Sequence, residues 1–240
     1  MEESAQYQRL YNPTESEKNI FLGKTYGWMA LAMIISAVCA FFSASNKYIL
    51  GLIWGNGGWG FFALAIAEIV LVWSISLLIR KLSLGTMIAF YILYAILNGI
   101  TLSSIFIIYN IQSISYAFLG SAIMFGSMSI YGLTTKKSLA SWGHYLVMAL
   151  IGIIVVSVLN GIMSMVTKQP LTMLDILISI ATVVIFTALT AYDTQKILRT
   201  AQRADSSEAY QKLAVYGALE LYLDFINIFL SLLRLFGRRK

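Results

Sequence analysis

The feature that most constrains this chain is a long stretch without any charged residue, which lies between Lys81 and Lys136. The stretch is 54 residues long, and one helix across a bilayer needs about 20 apolar residues. It therefore predicts two membrane spans and the turn between them. Over the whole chain 59% of the residues are hydrophobic and 12% are charged, against about 25% charged in soluble domains. The sequence predicts a polytopic membrane protein.

Apolar runs separated by short polar breaks predict an all-α integral membrane protein with seven transmembrane helices. The predicted spans lie near residues 25–45, 58–79, 86–109, 114–133, 144–166, 171–194 and 213–236. They define a membrane domain at 25–236, with an N-terminal cytoplasmic tail at 1–24 and a basic C-terminal tail at 237–240. The glycine-rich segment 54–60 is predicted to be an interfacial turn, because no Gly-Lys-Ser/Thr of a phosphate loop follows its glycines.

The basic residues predict that the N-terminus lies in the cytoplasm, because cytoplasmic loops carry an excess of Lys and Arg. In that orientation 11 basic residues lie inside, against Lys47 and Lys168 in outer loops. The inner set is Arg9, Lys18, Lys24, Arg80, Lys81, Lys136, Lys137, Lys196, Arg199, Arg203 and Lys212. The net charge of +6 is thus a topology signal and predicts no nucleic-acid partner.

The last span conflicts with this charge rule. A complete seventh crossing puts Arg234 and the basic tail 238–240 outside, whereas a re-entrant helix would return them to the cytoplasm. The length of the last span favours a complete crossing.

Other residue types exclude several functions. A single cysteine, Cys39, allows no internal disulfide and is interpreted as a small packing residue. The only histidine, His144, begins the fifth span beside Trp142 and Tyr145 and is interpreted as an interfacial anchor rather than a pH sensor. Because no zinc signature, nucleophile elbow, phosphate loop or dinucleotide motif is present, we predict neither an enzyme nor a bound cofactor.

Five carboxylates lie inside or at the edge of the predicted spans: Glu68, Asp175, Asp193, Glu220 and Asp224. A charge at the bilayer centre costs at least about 2.5–3.5 kcal/mol, so each needs a partner or a water-filled cavity. On a helix of 100° per residue, the last span carries one polar stripe. The stripe consists of Tyr216, Glu220, Asp224, Asn227, Ser231 and Arg234.

The sixth span repeats this pattern, because Asp175 and Asp193 share a face with Ser179 and Thr182. Asp175 and Asp193 stand about 27 Å apart along the axis, which places Asp175 at the outer interface and Asp193 at the inner one. Two consecutive striped helices are expected to turn their stripes towards each other.

We interpret Asp175 and Glu220, near helix ends, as separately satisfied, and Asp193 with Asp224 as a pair. Two carboxylates close together and away from water cannot both stay ionised cheaply, so the pair is expected to share one proton and titrate as a unit. The protonated pair would tie the sixth helix to the seventh. The ionised pair would repel and attract cations, which makes it a candidate pH-sensitive gate.

Four segments resemble the Bax inhibitor-1 (transmembrane Bax-inhibitor-motif) family. "AYDTQKI" at 191–197 and "LYLDFINIFLSLLRLFG" at 221–237 resemble its last two helices. "NGITLSSI" at 98–105 resembles its third helix, and "AEIV" at 67–70 together with Arg80 resembles its second. The likeness spans nearly all of the membrane region but not the N-terminal tail or the loop at 198–212.

This resemblance implies a seven-helix fold whose last helix is central and is wrapped by the other six. It implies that a bacterial member is a pH-sensitive calcium leak channel in the cell membrane, with calcium ions and protons as its partners besides the lipid bilayer. The gating pair of the family corresponds to Asp193 and Asp224. A latch at the end of the second helix corresponds to Arg80, although its spacing from Glu68 departs by one residue from the family pattern, so Lys81 is an alternative. An ordinary inside anchor is the alternative role for Arg80.

The remaining polar residues complete the predicted site. Glu68, Asn98, Glu220 and Asn227 are expected to support the gating pair. Because Ca²⁺ takes about 6–8 oxygen ligands, two aspartates with Asn227 would form a weak and transient metal site, which suits permeation.

Three other functions are alternatives to a channel. A membrane scaffold or regulator would bind other membrane proteins, such as a membrane-anchored protease, without transport. Its small residues at 120–121 and 126–127 would pack against a partner helix or, more simply, inside this chain. An intramembrane aspartyl protease needs Gly-x-Gly-Asp, and here Leu221 to Leu223 precede Asp224. A retinal protein needs a lysine in the middle of its last helix, and none is present.

Overall fold

A computed structural model describes residues 15–55, 58–167, 172–202 and 207–240. Within these ranges the chain forms eight helices, and seven of them are long and apolar enough to span a membrane. The spans are α1 (Glu15–Ser45), α3 (Trp59–Leu78), α4 (Leu84–Ile108), α5 (Ile111–Thr134), α6 (Ala140–Thr167), α7 (Thr172–Ala201) and α8 (Glu208–Phe236), and the short eighth helix is α2 (Lys47–Trp54). The predicted all-α fold with seven spans is confirmed.

The helix ends differ most from the prediction at three places. Helix α1 begins at Glu15 rather than near residue 25, and α7 continues to Ala201 rather than ending near residue 194. Helix α2 replaces most of the loop after the first span. Asn46 caps α2, because its Oδ1 accepts the backbone N–H groups of Tyr48 at 2.9 Å and Ile49 at 3.4 Å. Arg9, Lys168, Arg203 and residues 56–57 of the predicted turn lie outside the described ranges.

The described chain divides into two compact units. The first contains the residues up to Ile107 together with Ile197–Tyr222, and the second contains Ile108–Lys196 together with Leu223–Lys240. The boundary crosses α8, whose first half belongs to the first unit and whose second half belongs to the second.

In the first unit, α4 packs closely against α1 at Gly99. A Cβ atom at this position would lie 2.6 Å from the Ser36 carbonyl oxygen and 2.7 Å from the Cys39 Cβ, so only glycine allows this approach. Glu208, the first residue of α8, accepts the Leu84 backbone N–H at 3.0 Å at the start of α4. These contacts hold α1, α4 and the first half of α8 together.

In the second unit, the C-terminal tail pairs with the turn between α4 and α5. The Lys240 backbone N–H donates to the Ile108 carbonyl at 2.9 Å, and the Asn110 N–H donates to the Arg238 carbonyl at 3.3 Å. The end of α8 therefore lies at the same end of the unit as the start of α5. Alternating crossings predict this arrangement only when α8 spans completely, so the structure favours the complete crossing over the re-entrant one.

Helix α8 is the most enclosed of the spans. In its most apolar 18-residue window 67% of the residues are buried, against 44% in α4 and 6% in α6. A helix enclosed on all sides can carry polar side chains without exposing them to lipid. The implied central position of the last helix agrees with this burial.

Candidate functional site

Asp193 lies in a segment of α7 that packs tightly against α5. A Cβ atom at Gly132 of α5 would lie 2.5 Å from the Ala191 carbonyl oxygen and 3.0 Å from the Thr194 Cβ, so the two backbones are nearly in contact. The Thr194 and Ser129 hydroxyls are 3.2 Å apart and form a hydrogen bond. Asp193, between these contact residues, is only 8% exposed.

The same segment of α7 is fixed from a second side by α6 and the loop before it. The Tyr192 ring lies over Gly143, where a Cβ atom would come within 2.5 Å of the ring. The Gln195 amide bonds twice to the loop at 135–139, since Oε1 accepts the Leu139 N–H at 2.8 Å and Nε2 donates to the Lys137 carbonyl at 2.9 Å. Residues 191–195 are thus held in one position.

Asp224 lies on the second half of α8, which also packs on α5. The Phe225 ring stands edge-on to Phe118 and Phe125 of α5, with ring centroids 5.3 Å and 5.8 Å away. Such edge-to-face aromatic pairs contribute about 0.5–1.5 kcal/mol each beyond their buried area. Asp224 is 3% exposed, so it is enclosed even more than Asp193.

The two acid-bearing segments contact neighbouring positions on α5. Thr194, next to Asp193, bonds to Ser129, whereas Phe225, next to Asp224, packs on Phe125. Ser129 and Phe125 are one helical turn apart, about 6 Å along the axis. One helix, α5, thus contacts both acid-bearing segments.

Two other residues of the predicted stripes, Asp175 and Asn227, have local partners. Asp175 Oδ1 accepts the Asn160 Nδ2 group at 2.6 Å, so Asp175 is separately satisfied as expected. Asn227 Nδ2 donates to the Leu223 carbonyl of its own helix at 2.8 Å. Glu220 is half-buried in the first half of α8.

Arg80 and His144 lie at exposed positions. Arg80 follows α3 in an exposed turn, and its side chain makes no hydrogen bond or ion pair with any described residue. Its role as a latch stays a prediction. His144 is exposed in the first turns of α6, edge-on to Tyr145 with ring centroids 5.9 Å apart, which agrees with an interfacial anchor.

Glu68 and Asn98 lie in the first unit and bond to each other, with 3.1 Å between Asn98 Nδ2 and Glu68 Oε2. Three residues that the sequence reasoning missed join them, namely Ser36 of α1, Thr101 of α4 and Tyr222 of α8. The available signal was a hydroxyl in the middle of an apolar span, which is hard to satisfy without a neighbouring helix.

The close approach at Gly132 makes a stability prediction. Gly132→Ala is expected to destabilise the folded protein by about 1–3 kcal/mol, because the new methyl group would overlap the Ala191 carbonyl. The matched control is Gly126→Ala on the same helix, where a Cβ atom meets nothing within 4 Å. Thermal unfolding in detergent should show a lower midpoint for Gly132→Ala alone. Equal midpoints for the two variants would contradict the α5–α7 packing.

Comparison with known proteins gives consistent matches along the chain. The sequence model of the family described as "Inhibitor of apoptosis-promoting Bax1" matches residues 18–240. The inner membrane protein YbhL of Escherichia coli is 40% identical over 223 residues, which cover 92% of each chain. An uncharacterized protein of Borreliella burgdorferi is 43% identical over 224 residues, covering 93% of this chain and 94% of its own. Another uncharacterized protein, from Deinococcus radiodurans, is 34% identical over 226 residues and 94% of each chain.

Proposed function

This chain belongs to the family of inhibitors of apoptosis-promoting Bax1, and we propose that it is a pH-sensitive calcium leak channel gated by Asp193 and Asp224. The observation that carries the proposal is the burial of two aspartates on two helices that both pack against α5. Buried carboxylates in a membrane domain are costly, and they are retained where an ion or a proton uses them.

The gate would work through one shared proton. While the pair holds that proton, the hydrogen bond between the carboxyls ties α7 to α8. Loss of the proton leaves two negative charges, which repel each other and attract a cation. Because α5 holds the neighbours of both aspartates, the opening movement would have to separate α8 from α7 without breaking the packing at Gly132.

Calcium suits this pair as a passing ion. Two carboxylates supply at most four of the ~6–8 oxygen ligands that Ca²⁺ takes, and the Asn227 carbonyl could add one more. In the part of the chain that the structure describes, no three His, Cys, Asp or Glu side chains lie together as a metal site. An ion held by so few protein ligands leaves again, as permeation requires.

The membrane proposed for this channel is the inner or plasma membrane of a bacterium. Helices of spanning length and the name of the relative YbhL, an inner membrane protein, support this location. The excess of Lys and Arg in alternate loops supports a cytoplasmic N-terminus, which puts the C-terminal tail and the α4–α5 turn outside.

Calcium efflux from liposomes that hold the purified chain tests the proposal. The flux is expected to change with pH between about pH 5 and pH 8, by at most about tenfold per pH unit for a gate that responds to one proton. Asp193→Asn and Asp224→Asn should each flatten this dependence, because the one carboxylate that remains has no second negative charge beside it to repel. Asp175→Asn is the matched control, an acid on the same face of α7 that is satisfied by Asn160.

The same assay separates the channel from its rivals. Flux that is absent, or that neither substitution alters while both variants fold, would contradict the gate and favour a scaffold that binds other membrane proteins. Arg80→Gln in this assay tests the latch, since a lost latch should raise the flux at the pH where the gate is closed.

A further inference from the structure

Glu68 is an acid in the middle of a helix that mostly faces lipid. It lies near the centre of the 20-residue helix α3, of whose apolar window only 11% is buried. Its Oε1 accepts the Thr101 hydroxyl at 2.6 Å, and its Oε2 lies 3.1 Å from the Asn98 amide. Among the described residues no cation pairs with it. An ionised Glu68 would therefore have no positive charge beside it, at a depth where a charge is costly.

Beyond Asn98, a row of hydrogen-bonded groups continues through three more residues. The other end of the Asn98 amide lies 2.8 Å from the Tyr222 hydroxyl on α8. Tyr222 lies 2.7 Å from the Ser36 hydroxyl on α1, and Ser36 lies 2.7 Å from the Ala95 carbonyl on α4. Asn98, Tyr222 and Ser36 are buried, so no bulk water is available to complete this row.

When Glu68 is ionised, this row of hydrogen-bonded groups has one proton fewer than it has contacts. With the Asn98 Nδ2 group facing Glu68, its Oδ1 can only accept from Tyr222. The contacts between Asn98 and Tyr222, Tyr222 and Ser36, and Ser36 and Ala95 then need three protons, but the two hydroxyls have only two. One contact of 2.7–2.8 Å would bring two oxygens together without a hydrogen between them.

Turning the Asn98 amide does not help an ionised Glu68. The Nδ2 group then donates to Tyr222, Tyr222 donates to Ser36, and Ser36 donates to the Ala95 carbonyl. All three contacts are satisfied, but the Asn98 Oδ1 now faces the Glu68 carboxylate at 3.1 Å. Two acceptors, one of them charged, repel at that distance.

A proton on Glu68 Oε2 removes the conflict. We propose that Glu68 is a proton-binding site within the membrane, where the bound proton is donated to Asn98 Oδ1 and fixes the direction of every hydrogen bond through Tyr222 and Ser36. Each of the five contacts in the cluster then has one hydrogen: Glu68 to Asn98, Asn98 to Tyr222, Tyr222 to Ser36, Ser36 to Ala95, and Thr101 to Glu68.

The other titratable groups that the structure describes near this cluster are phenols and one thiol, so Glu68 is the only carboxyl among them. Tyr94 on α4 and Tyr222 on α8 interact electrostatically with Glu68, and Tyr91 and Cys39 are close to Tyr222. In water a phenol or a thiol gives up its proton only at a higher pH than a carboxyl does. The proposal does not depend on calcium transport.

Loss of this proton would act on several helices together. The Asn98 amide would have to turn, and the hydrogen bonds of Tyr222 and Ser36 would reverse or break. Those bonds connect α3 and α4 to α8 and α1. Glu68 therefore makes the packing of the first unit sensitive to pH.

Infrared spectroscopy of the full-length protein in lipid tests the proposal at pH 7. A protonated carboxyl has a carbonyl stretch separate from that of a carboxylate. The difference spectrum between the unmodified protein and Glu68→Gln should contain one such band, whether or not Asp193 and Asp224 contribute a band of their own. The glutamine keeps the fold, because its amide nitrogen can donate to Asn98 in place of the acid. Glu208→Gln is the control and should leave the band unchanged, since Glu208 is exposed and paired with Lys212 at 3.0 Å.

A second variant gives an independent result. Thr101→Val removes the hydrogen bond to Glu68 Oε1 and keeps the shape of the side chain, so it should shift the frequency of the protonated carboxyl band. If the band region is identical in the unmodified protein, Glu68→Gln and Thr101→Val, Glu68 is ionised and the proposal is wrong. Calcium flux plays no part in either measurement, so this test is independent of the channel.

Discussion

Replacing Asp193 and Asp224 together by asparagine is expected to alter the pH dependence of calcium flux no more than replacing either one. The first substitution already removes the shared proton, because the remaining carboxyl has no second carboxyl with which to share it. The flux should then be nearly independent of pH in all three variants. In a double-mutant cycle, the coupling energy would equal the whole effect of one substitution.

Two separate acids would give a different cycle. Each would titrate alone, each single variant would keep part of the pH dependence, and the two effects would add. That result would contradict the shared proton even if the flux itself were real. Asp224→Glu serves as the control, because it keeps a titratable carboxyl and should keep a pH-dependent flux.

The spans could be predicted from sequence because a bilayer imposes a length and a polarity on every crossing. The helix ends outside the apolar core have no such constraint. The prediction therefore missed the first turns of α1 and the whole of α2, although Asn46 at the start of α2 carried a capping signal.

The candidate acids could also be found from sequence, since a charge in an apolar span is conspicuous and costly. The contacts that hold these acids in place could not be predicted from the sequence. The approach of Gly132 to Ala191 depends on which helix lies beside which, and no local pattern encodes it. Tyr222 shows a second limit. It lies about 200° from Asp224 around the helix and so outside the predicted polar stripe, yet its hydroxyl bonds to Asn98, 124 residues away in the chain.

The aromatic contacts beside Asp224 predict the largest loss of stability from a single substitution outside the acids. Phe225→Ala is expected to lower the free energy of unfolding by about 3 kcal/mol, near the lower end of the range for a buried phenylalanine. Lipid is as apolar as a protein core, so little transfer energy is lost. The cost comes from the cavity and from the lost ring contacts with Phe118 and Phe125.

An unfolding titration with a denaturing detergent measures this loss. Phe236→Ala is the matched control, because Phe236 ends the same helix and is 77% exposed, so its removal leaves no cavity. Equal stability of the two variants would mean that α8 does not rest on α5 through Phe225. In that case α5 would fix only the segment of Asp193, through Ser129 and Gly132, and the Phe225 contact would not hold Asp224 on the same helix.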